Sequence, residues 1–169
     1  MIENVLGFRH SESYQKIIQT LWVSGYFVNV SSLDAADYGV PQNRRRLILI
    51  AVKNGLVPSI PKADKVSWGD VITEGVFANC QESEYQPYQA PYIPPVGDIL
   101  VDSQPVSMFK SKRCKLTLRE SNQPCFTITA SHYKRPVRAR INEITQKLSS
   151  RALARIQLFP DWYKLPTQN

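Results

Sequence analysis

Apolar positions at the start of the chain follow two periods in turn. Ile2 to Leu6 reads as the end of a buried strand, cut short by Gly7. Tyr14, Ile17, Ile18, Leu21 and Trp22 then fall at i, i+3, i+4, i+7 and i+8, one continuous stripe that predicts a helix over residues 12–24. Ser11 is placed to cap its start and Gly25 to stop it. Tyr26-Phe27-Val28-Asn29-Val30 is β-prone, and residues 34–41 are rich in turn formers. Arg46-Leu47-Ile48-Leu49-Ile50-Ala51-Val52 has the unbroken apolar character of a strand buried on both faces. Strand, helix, strand, strand in that order suits one edge of an α/β sheet. So few strands leave apolar faces uncovered, so the sheet is expected to continue in residues this chain does not supply.

After Lys53 both periods fade. Seven of the twelve prolines lie between Pro58 and Pro105, and only Val66 to Thr73 reads as a short helix. The stretch is expected to be irregular, or a small loop-rich module. Phe126-Thr127-Ile128-Thr129 alternates like a strand. Ser149 or Ser150 is placed to cap a helix running through Leu158, with Leu153, Ile156 and Gln157 spaced helically and Pro160 closing it. The sequence contains no internal repeat and no low-complexity tract.

Composition narrows the class. The 169 residues make one ordinary domain or two small ones, and 43% hydrophobic content suffices for a packed core. No apolar stretch approaches the roughly 20 residues of a membrane helix. Met1-Ile2-Glu3-Asn4 lacks the layout of a signal peptide, so a cytoplasmic protein with no membrane contact is the expectation. Three widely spaced cysteines (Cys80, Cys114, Cys125) and two distant histidines (His10, His132) argue against a disulfide framework and against a metal site. Net charge is +7 and unevenly spread. Residues 110–140 carry nine basic side chains against the single acid Glu120, whereas residues 54–105 carry two lysines against seven acids. Such segregation suits one cationic surface facing a polyanion, nucleic acid first, and equally a merely solvated basic face with no partner.

Two short runs carry chemistry. A carboxylic acid held at a strand end, such as Glu3, can share a proton with the edge of a flat polar ring and receive the charge that builds there when a nucleophile adds to the ring. Alone, Glu3-Asn4-Val5 reads first as a surface glutamate at a frayed terminus. The run Asp37-Tyr38-Gly39-Val40-Pro41-Gln42-Asn43-Arg44-Arg45-Arg46 is stronger. In a strand Arg44 and Arg46 project together while Arg45 faces away. Two guanidiniums there can hold a base oxygen or a phosphate while orienting the carboxylate. The bland alternative is a basic sheet edge that discourages aggregation.

Together these runs resemble ordered motifs of the cytosine-C5 DNA methyltransferases. Glu3, Asn4 and Val5 match the family's Glu-Asn-Val, whose glutamate contacts the flipped cytosine. Gln42, Arg44 and Arg46 match its Gln-x-Arg-x-Arg, where the second arginine helps to hold the base. Pro124-Cys125-Phe126-Thr127-Ile128-Thr129-Ala130 resembles a segment whose hydroxyls bind the DNA backbone, which implies that role for Thr127 and Thr129. Leu148 to Tyr163 resembles the helix that follows, with Ala152 where the family has glutamate and Leu158 where it has glycine. The first substitution is expected to remove an ion pair or cap, the second to alter a tight contact. The Gly-rich loop for S-adenosylmethionine, the Pro-Cys nucleophile loop and the closing Gly-Asn-x-Val-Pro-Pro segment have no counterpart here.

The resemblance implies an α/β fold: the C-terminal part of a Rossmann-like methyltransferase sheet over residues 1–53, a small loop-rich, mainly β target-recognition module over 54–148, and a helix over 149–169 returning to the catalytic body. It further implies catalytic roles for Glu3, Arg44 and Arg46, and DNA contacts by Gln42, Lys112, Arg113, Lys115, Thr127, Thr129, Lys134 and Arg135. The partners implied are duplex DNA, with S-adenosylmethionine as methyl donor, and an N-terminal half or subunit carrying the cysteine and the cofactor loop. The chain is then a subunit of a split enzyme, an inactive remnant, or a DNA-binding module that abandoned chemistry. Binding of RNA or another anion is the alternative outside the family. Pro124-Cys125 imitates the nucleophile's dipeptide but stands after the arginine run instead of before the glutamate, so Cys125 reads as a small apolar strand residue. Alkylation near neutral pH should therefore proceed no faster at Cys125 than at Cys80 or Cys114, as peptide mapping after a brief iodoacetamide pulse would show.

Overall fold

Helix α1 spans Glu12–Val23, and the Ser11 hydroxyl caps it by accepting the Tyr14 N–H at 3.1 Å. The chain leaves α1 through Gly25 at φ 79°, with the Gly25 N–H donating to the Trp22 carbonyl and the Tyr26 N–H to Leu21, both at 3.0 Å. That pair of bonds is a Schellman closure, which requires a left-handed residue where Gly25 stands. Of the stripe that predicted the helix, Ile18 is buried, whereas Trp22 at its edge is 65% exposed.

A computed structural model describes residues 1–73, 81–82, 98–105, 114–130, 137–142 and 144–165. Contacts divide the chain into one unit of Met1–Gly39 with Asn43–Asp64 and another of Val40–Gln42 with Lys65–Asn169. In the first unit β1 (Ile2–Asn4), β2 (Phe27–Asp34) and β3 (Arg45–Val52) form a sheet of order β1-β3-β2. Because β3 runs antiparallel to both neighbours, β1 and β2 run parallel to each other with α1 connecting them. The pairing sets the faces: Glu3 opposes Ile48, Ser31 opposes Ile48 from the other side, and Leu33 opposes Arg46. One face therefore carries Glu3, Arg46, Ile48, Ile50, Leu33 and Ser31, and the opposite face carries Leu47 and Leu49. Leu47 and Leu49 are buried, while Arg46, Ile48 and Ile50 keep partial exposure. The expectation that this strand is buried on both faces is thus corrected: one face is packed and the other half covered. Val5, Leu6, Trp22, Val23 and Phe27 of this unit remain exposed.

The second unit is built on five antiparallel strands. These are β4 (Gln81–Glu82), β5 (Ile99–Pro105), β6 (Cys114–Glu120), β7 (Arg138–Ile141) and β8 (Ile144–Lys147), in the order β4-β8-β7-β5-β6. Short helices α2 (Trp68–Val71) and α3 (Ser150–Ile156) join them. Trp68, Leu100, Phe126, Val137, Leu148, Ala152 and Ile156 share one core, with the Trp68 indole N–H satisfied by the Arg119 carbonyl at 3.1 Å. Phe126-Thr127-Ile128-Thr129, expected as a strand, lies in no ladder. Phe126 is buried in this core and Ile128 packs on it, so the alternation reflects an extended chain packing alternate side chains, without a sheet partner.

Helix α3 starts as the sequence expects, Ser149 accepting the Ala152 N–H at 3.2 Å. Ala152 is the third helical residue and is fully buried. A glutamate there would complete a capping box with Ser149, so this helix keeps only one half of that reciprocal pair. Its other end repeats the closure of α1: the Leu158 N–H donates to Arg155 at 2.9 Å and the Phe159 N–H to Ala154 at 3.0 Å. The residue in the left-handed position, at φ 59°, is Leu158. A β-carbon in that conformation costs roughly 1–2 kcal/mol. The leucine side chain is half exposed and returns little of it by burial. Replacing Leu158 with glycine should raise the unfolding free energy by about 1 kcal/mol, and Ser149→Ala should lower it by about 1 kcal/mol. Urea denaturation of both variants would show opposite shifts in midpoint.

Candidate active site

The first unit brings two of the three expected catalytic residues together. Arg46 lies diagonally across the β1–β3 pair from Glu3 on the same face, within reach of long side chains. Its Nε stands 3.2 Å from Glu3 Oε1, and its Nη1 donates to the Arg45 carbonyl at 2.8 Å. The Arg46 side chain is 21% exposed and that of Glu3 is 56% exposed. The guanidinium is thus held against the sheet while the carboxylate still faces solvent. At this separation the head groups touch. The arrangement has the arginine orienting the acid, whose second oxygen is left for a ligand.

Arg44 occupies a different setting. Strand β3 begins at Arg45, and Arg44 precedes it with its main chain fixed on both sides. Its N–H donates to Asp34 Oδ1 at 2.8 Å and its carbonyl accepts from the Ala35 N–H at 3.1 Å. Arg45, 71% exposed, lies 3.5 Å from Asp34 Oδ2. The turn before it is a single 3-10 turn, Ala35–Tyr38, closed by Gly39 at φ 79°. On the same sheet face as Glu3 and Arg46, a cleft of about 220 Å³ is lined by Asn29, Ser31, Tyr38, Ile48, Ile50 and Ile60, among others.

In the second unit Gln42 is 1% exposed and forms an isolated parallel bridge with Cys125, whose N–H donates to the Pro41 carbonyl at 2.9 Å. Among the described residues the Gln42 side-chain oxygen finds no hydrogen-bond donor. Gln42 therefore sits in the interior, and Cys125 beside it is fully buried in the core. Thr127 is half-buried and Thr129 exposed on the extended stretch that follows. Lys115 lies in β6, its side chain outside the described residues, as are Lys112, Arg113, Lys134 and Arg135 altogether.

Sequence reasoning missed Arg155. Its guanidinium grips the Asp161 carboxylate with two bonds of 2.9 and 2.7 Å, and reaches Thr73 Oγ1 at 3.1 Å. This fork ties the end of α3 to the segment after α2 and to the Phe159-Pro160-Asp161 run. Hydrogen bonding by Arg155 holds the Asp161 carboxyl below its ordinary value. The arginine six residues before an aspartate was visible in the sequence, but the left-handed turn at Leu158 that folds them together was not. Among the described residues no three histidine, cysteine or carboxylate side chains are grouped to hold a metal ion, and no helix is long and apolar enough to cross a membrane.

Comparison with known proteins converges on one family. Residues 1–146 match the sequence model of the C-5 cytosine-specific DNA methylases. The type II methyltransferase M.BspRI of Lysinibacillus sphaericus is 28% identical over 187 residues, covering 96% of this chain and 40% of that protein. M.Eco47II of Escherichia coli is 30% identical over 190 residues, covering 95% of this chain and 45% of its own. The chain thus spans less than half the length of these relatives. Among solved structures, the Entamoeba histolytica methyltransferase EhMeth aligns with a TM-score of 0.57 at 15% identity, covering 96% of this chain and 51% of its own. The Schizosaccharomyces pombe (S. pombe) Dnmt2 methyltransferase aligns with a TM-score of 0.54 at 16% identity, covering 99% and 56%. At such identities the likeness speaks to the fold alone.

The Arg155–Asp161 fork has a pH signature. Asp161 lies below its ordinary value of 3.8 in the folded chain, so its contribution to stability is present above that value and is lost as pH falls through the lower folded one. Urea midpoints measured from about pH 5 down to about pH 2 should fall less steeply in Asp161→Asn than in the parent chain.

Proposed function

This chain belongs to the C-5 cytosine-specific DNA methylase family, and from that membership we propose that it is the target-holding part of a DNA (cytosine-5-)-methyltransferase. In this reading a cytosine swings out of the duplex and a cysteine thiolate adds to C6. That thiolate is assigned to a complementary segment carrying the Pro-Cys loop, a motif with no counterpart in this sequence. As the addition pushes negative charge onto N3 and O2, the Glu3 carboxyl supplies a proton at N3 and accepts from the 4-amino group. Arg46 fixes the direction in which Glu3 presents that oxygen, and its positive charge favours the anionic adduct. S-adenosylmethionine, when bound by the complementary segment, supplies the methyl group to C5. The observation that carries the reading is the Glu3–Arg46 pair, the two residues the family resemblance singles out, on one sheet face 3.2 Å apart.

Residues 1–53 then act as the C-terminal part of the catalytic sheet and residues 54–148 as the target-recognition module, with residues 149–169 as the helix that follows it. The nine basic residues of segment 110–140 supply phosphate contacts and, from an arginine, a guanine-edge contact. Arg44 serves the reacting base alongside Arg46. Thr127 and Thr129 bind backbone phosphates, Lys112, Arg113, Lys115, Lys134 and Arg135 face the groove, and Gln42 supports that surface from within. The exposed Val5, Leu6, Trp22, Val23 and Phe27 support a complementary half that covers them.

The test is methyl transfer to duplex DNA by the chain alone, and by the chain mixed with a polypeptide carrying the Pro-Cys and cofactor loops. Activity is expected only in the mixture. Duplex binding with no transfer in either would favour a DNA-binding module instead. In an active mixture, Arg46→Ala and Glu3→Gln should each lower turnover by about 100-fold while duplex affinity stays within about twofold. Equal turnover by parent and variants would refute the roles given to this pair.

A further inference from the structure

Asp34, the last residue of β2, gathers both ends of the turn-rich run with one carboxylate. Oδ1 accepts from the Ala36 N–H at 3.3 Å and from the Arg44 N–H at 2.8 Å. Oδ2 accepts from the Asn43 side-chain amide at 3.3 Å and lies 3.5 Å from Arg45 Nε. The main chain adds the Ala35 N–H to the Arg44 carbonyl at 3.1 Å. The Asp34 side chain is 16% exposed, so these contacts are largely shielded from competing water. Three consecutive residues, Asn43 to Arg45, are thereby anchored to one acid immediately before Arg46.

The anchoring matters because three arginines stand in a row. In the observed register Asp34 pairs with Arg45 and Leu33 with Arg46, which puts Arg46 on the face of Glu3. A slip of one residue turns every side chain of a strand to the opposite face. Here it would present Arg45 to Glu3 and send Arg46 to the packed side, with another guanidinium ready to form a similar ion pair. Hydrophobic patterning opposes that slip only through Leu47 and Leu49. The Asp34 contacts oppose it locally, since no shifted register lets one carboxylate meet the Arg44 N–H, the Asn43 amide and Arg45 Nε together.

We infer that Asp34 is the positioning residue of the arginine strand: it acts on the target base only through Arg46, by fixing the register in which Arg46 meets Glu3. The inference rests on the roles proposed above for that pair. A serine at this position keeps the short cap to the Ala36 N–H but does not reach Asn43, Arg44 or Arg45. An asparagine keeps an acceptor oxygen at full length.

Two measurements separate the inference from the function it serves. In the full chain labelled with ¹⁵N, the Arg46 Nε–H signal of Asp34→Ser should move to the position it takes in Glu3→Gln, while that of Asp34→Asn should stay near the parent position. Identical behaviour of the two variants, an unmoved Arg46 signal in Asp34→Ser, or an unfolded Asp34→Ser beside a folded Asp34→Asn would overturn the assignment. In an active mixture, Asp34→Ser should lower kcat about tenfold with KM for DNA within about twofold, and should cost nothing further in an Arg46→Ala background. An equal loss in both backgrounds means a structural role and sinks the inference alone. An inactive mixture alongside the expected Arg46 signals sinks the methyltransferase reading and leaves the register assignment standing.

Discussion

The pairing of β3 between β1 and β2 is the constraint on which the candidate chemistry depends. One antiparallel strand flanked by two parallel ones fixes, residue by residue, which side chains share a face. Glu3 opposes Ile48, and Arg46 follows two positions along on the same side. The ion pair is a consequence of that register. An exposed pair of this kind contributes little to stability, of order 0–1 kcal/mol, so the fold does not need it. What the register supplies is direction: a guanidinium lying against the sheet and a carboxylate still open to a ligand.

The run Val40 to Arg46 serves two structural purposes within seven residues. Val40, Pro41 and Gln42 belong by their contacts to the second unit, where Gln42 and Pro41 meet the backbone of Cys125. Asn43 to Arg46 belong to the first, held by Asp34 and the β2–β3 ladder. The first part is fixed by main-chain pairing, the second by the ladder together with the Asp34 carboxylate. Gly39, just before the run, supplies the left-handed turn, and Pro41 needs no donor where its carbonyl does the pairing.

Helices α1 and α3 show how the same closure is built from different residues. Both end in the two hydrogen bonds of a Schellman motif. The first uses Gly25 and the second Leu158, which holds a backbone conformation that disfavours any β-carbon. The start of α3 is likewise half of a capping box, because Ala152 occupies the place of the acid. Compensation comes from packing and from one side chain. Ala152 and Ile156 are fully buried, and Arg155 clamps the far end to Asp161 and Thr73. The returning segment thus depends on tertiary contacts where local signals are weak.

How much of this was legible in the sequence follows from which signals are local. The α1 stripe with Ser11 and Gly25, the strand around Leu47 and Leu49, and the Ser149 cap all arise from spacing and single-residue preference, and each was read within a residue or two. The strands β5 to β8 were not, because β7 and β8 are only four residues long, β6 to β8 carry charges, and the shared core is completed by Trp68 and α3. Phe126 to Thr129 misled for the same reason, since alternation marks an extended chain and says nothing of a partner strand. In the site, the sequence by itself singled out Glu3 and Arg46 as candidates and placed them at strand ends. Only the tertiary structure decided that they touch, that Gln42 turns inward, and that Asp34 holds the arginines in place. Those outcomes depend on register and on contacts such as Asp34 with Asn43, 9 positions apart, and Gln42 with Cys125, 83 positions apart, which no local pattern encodes.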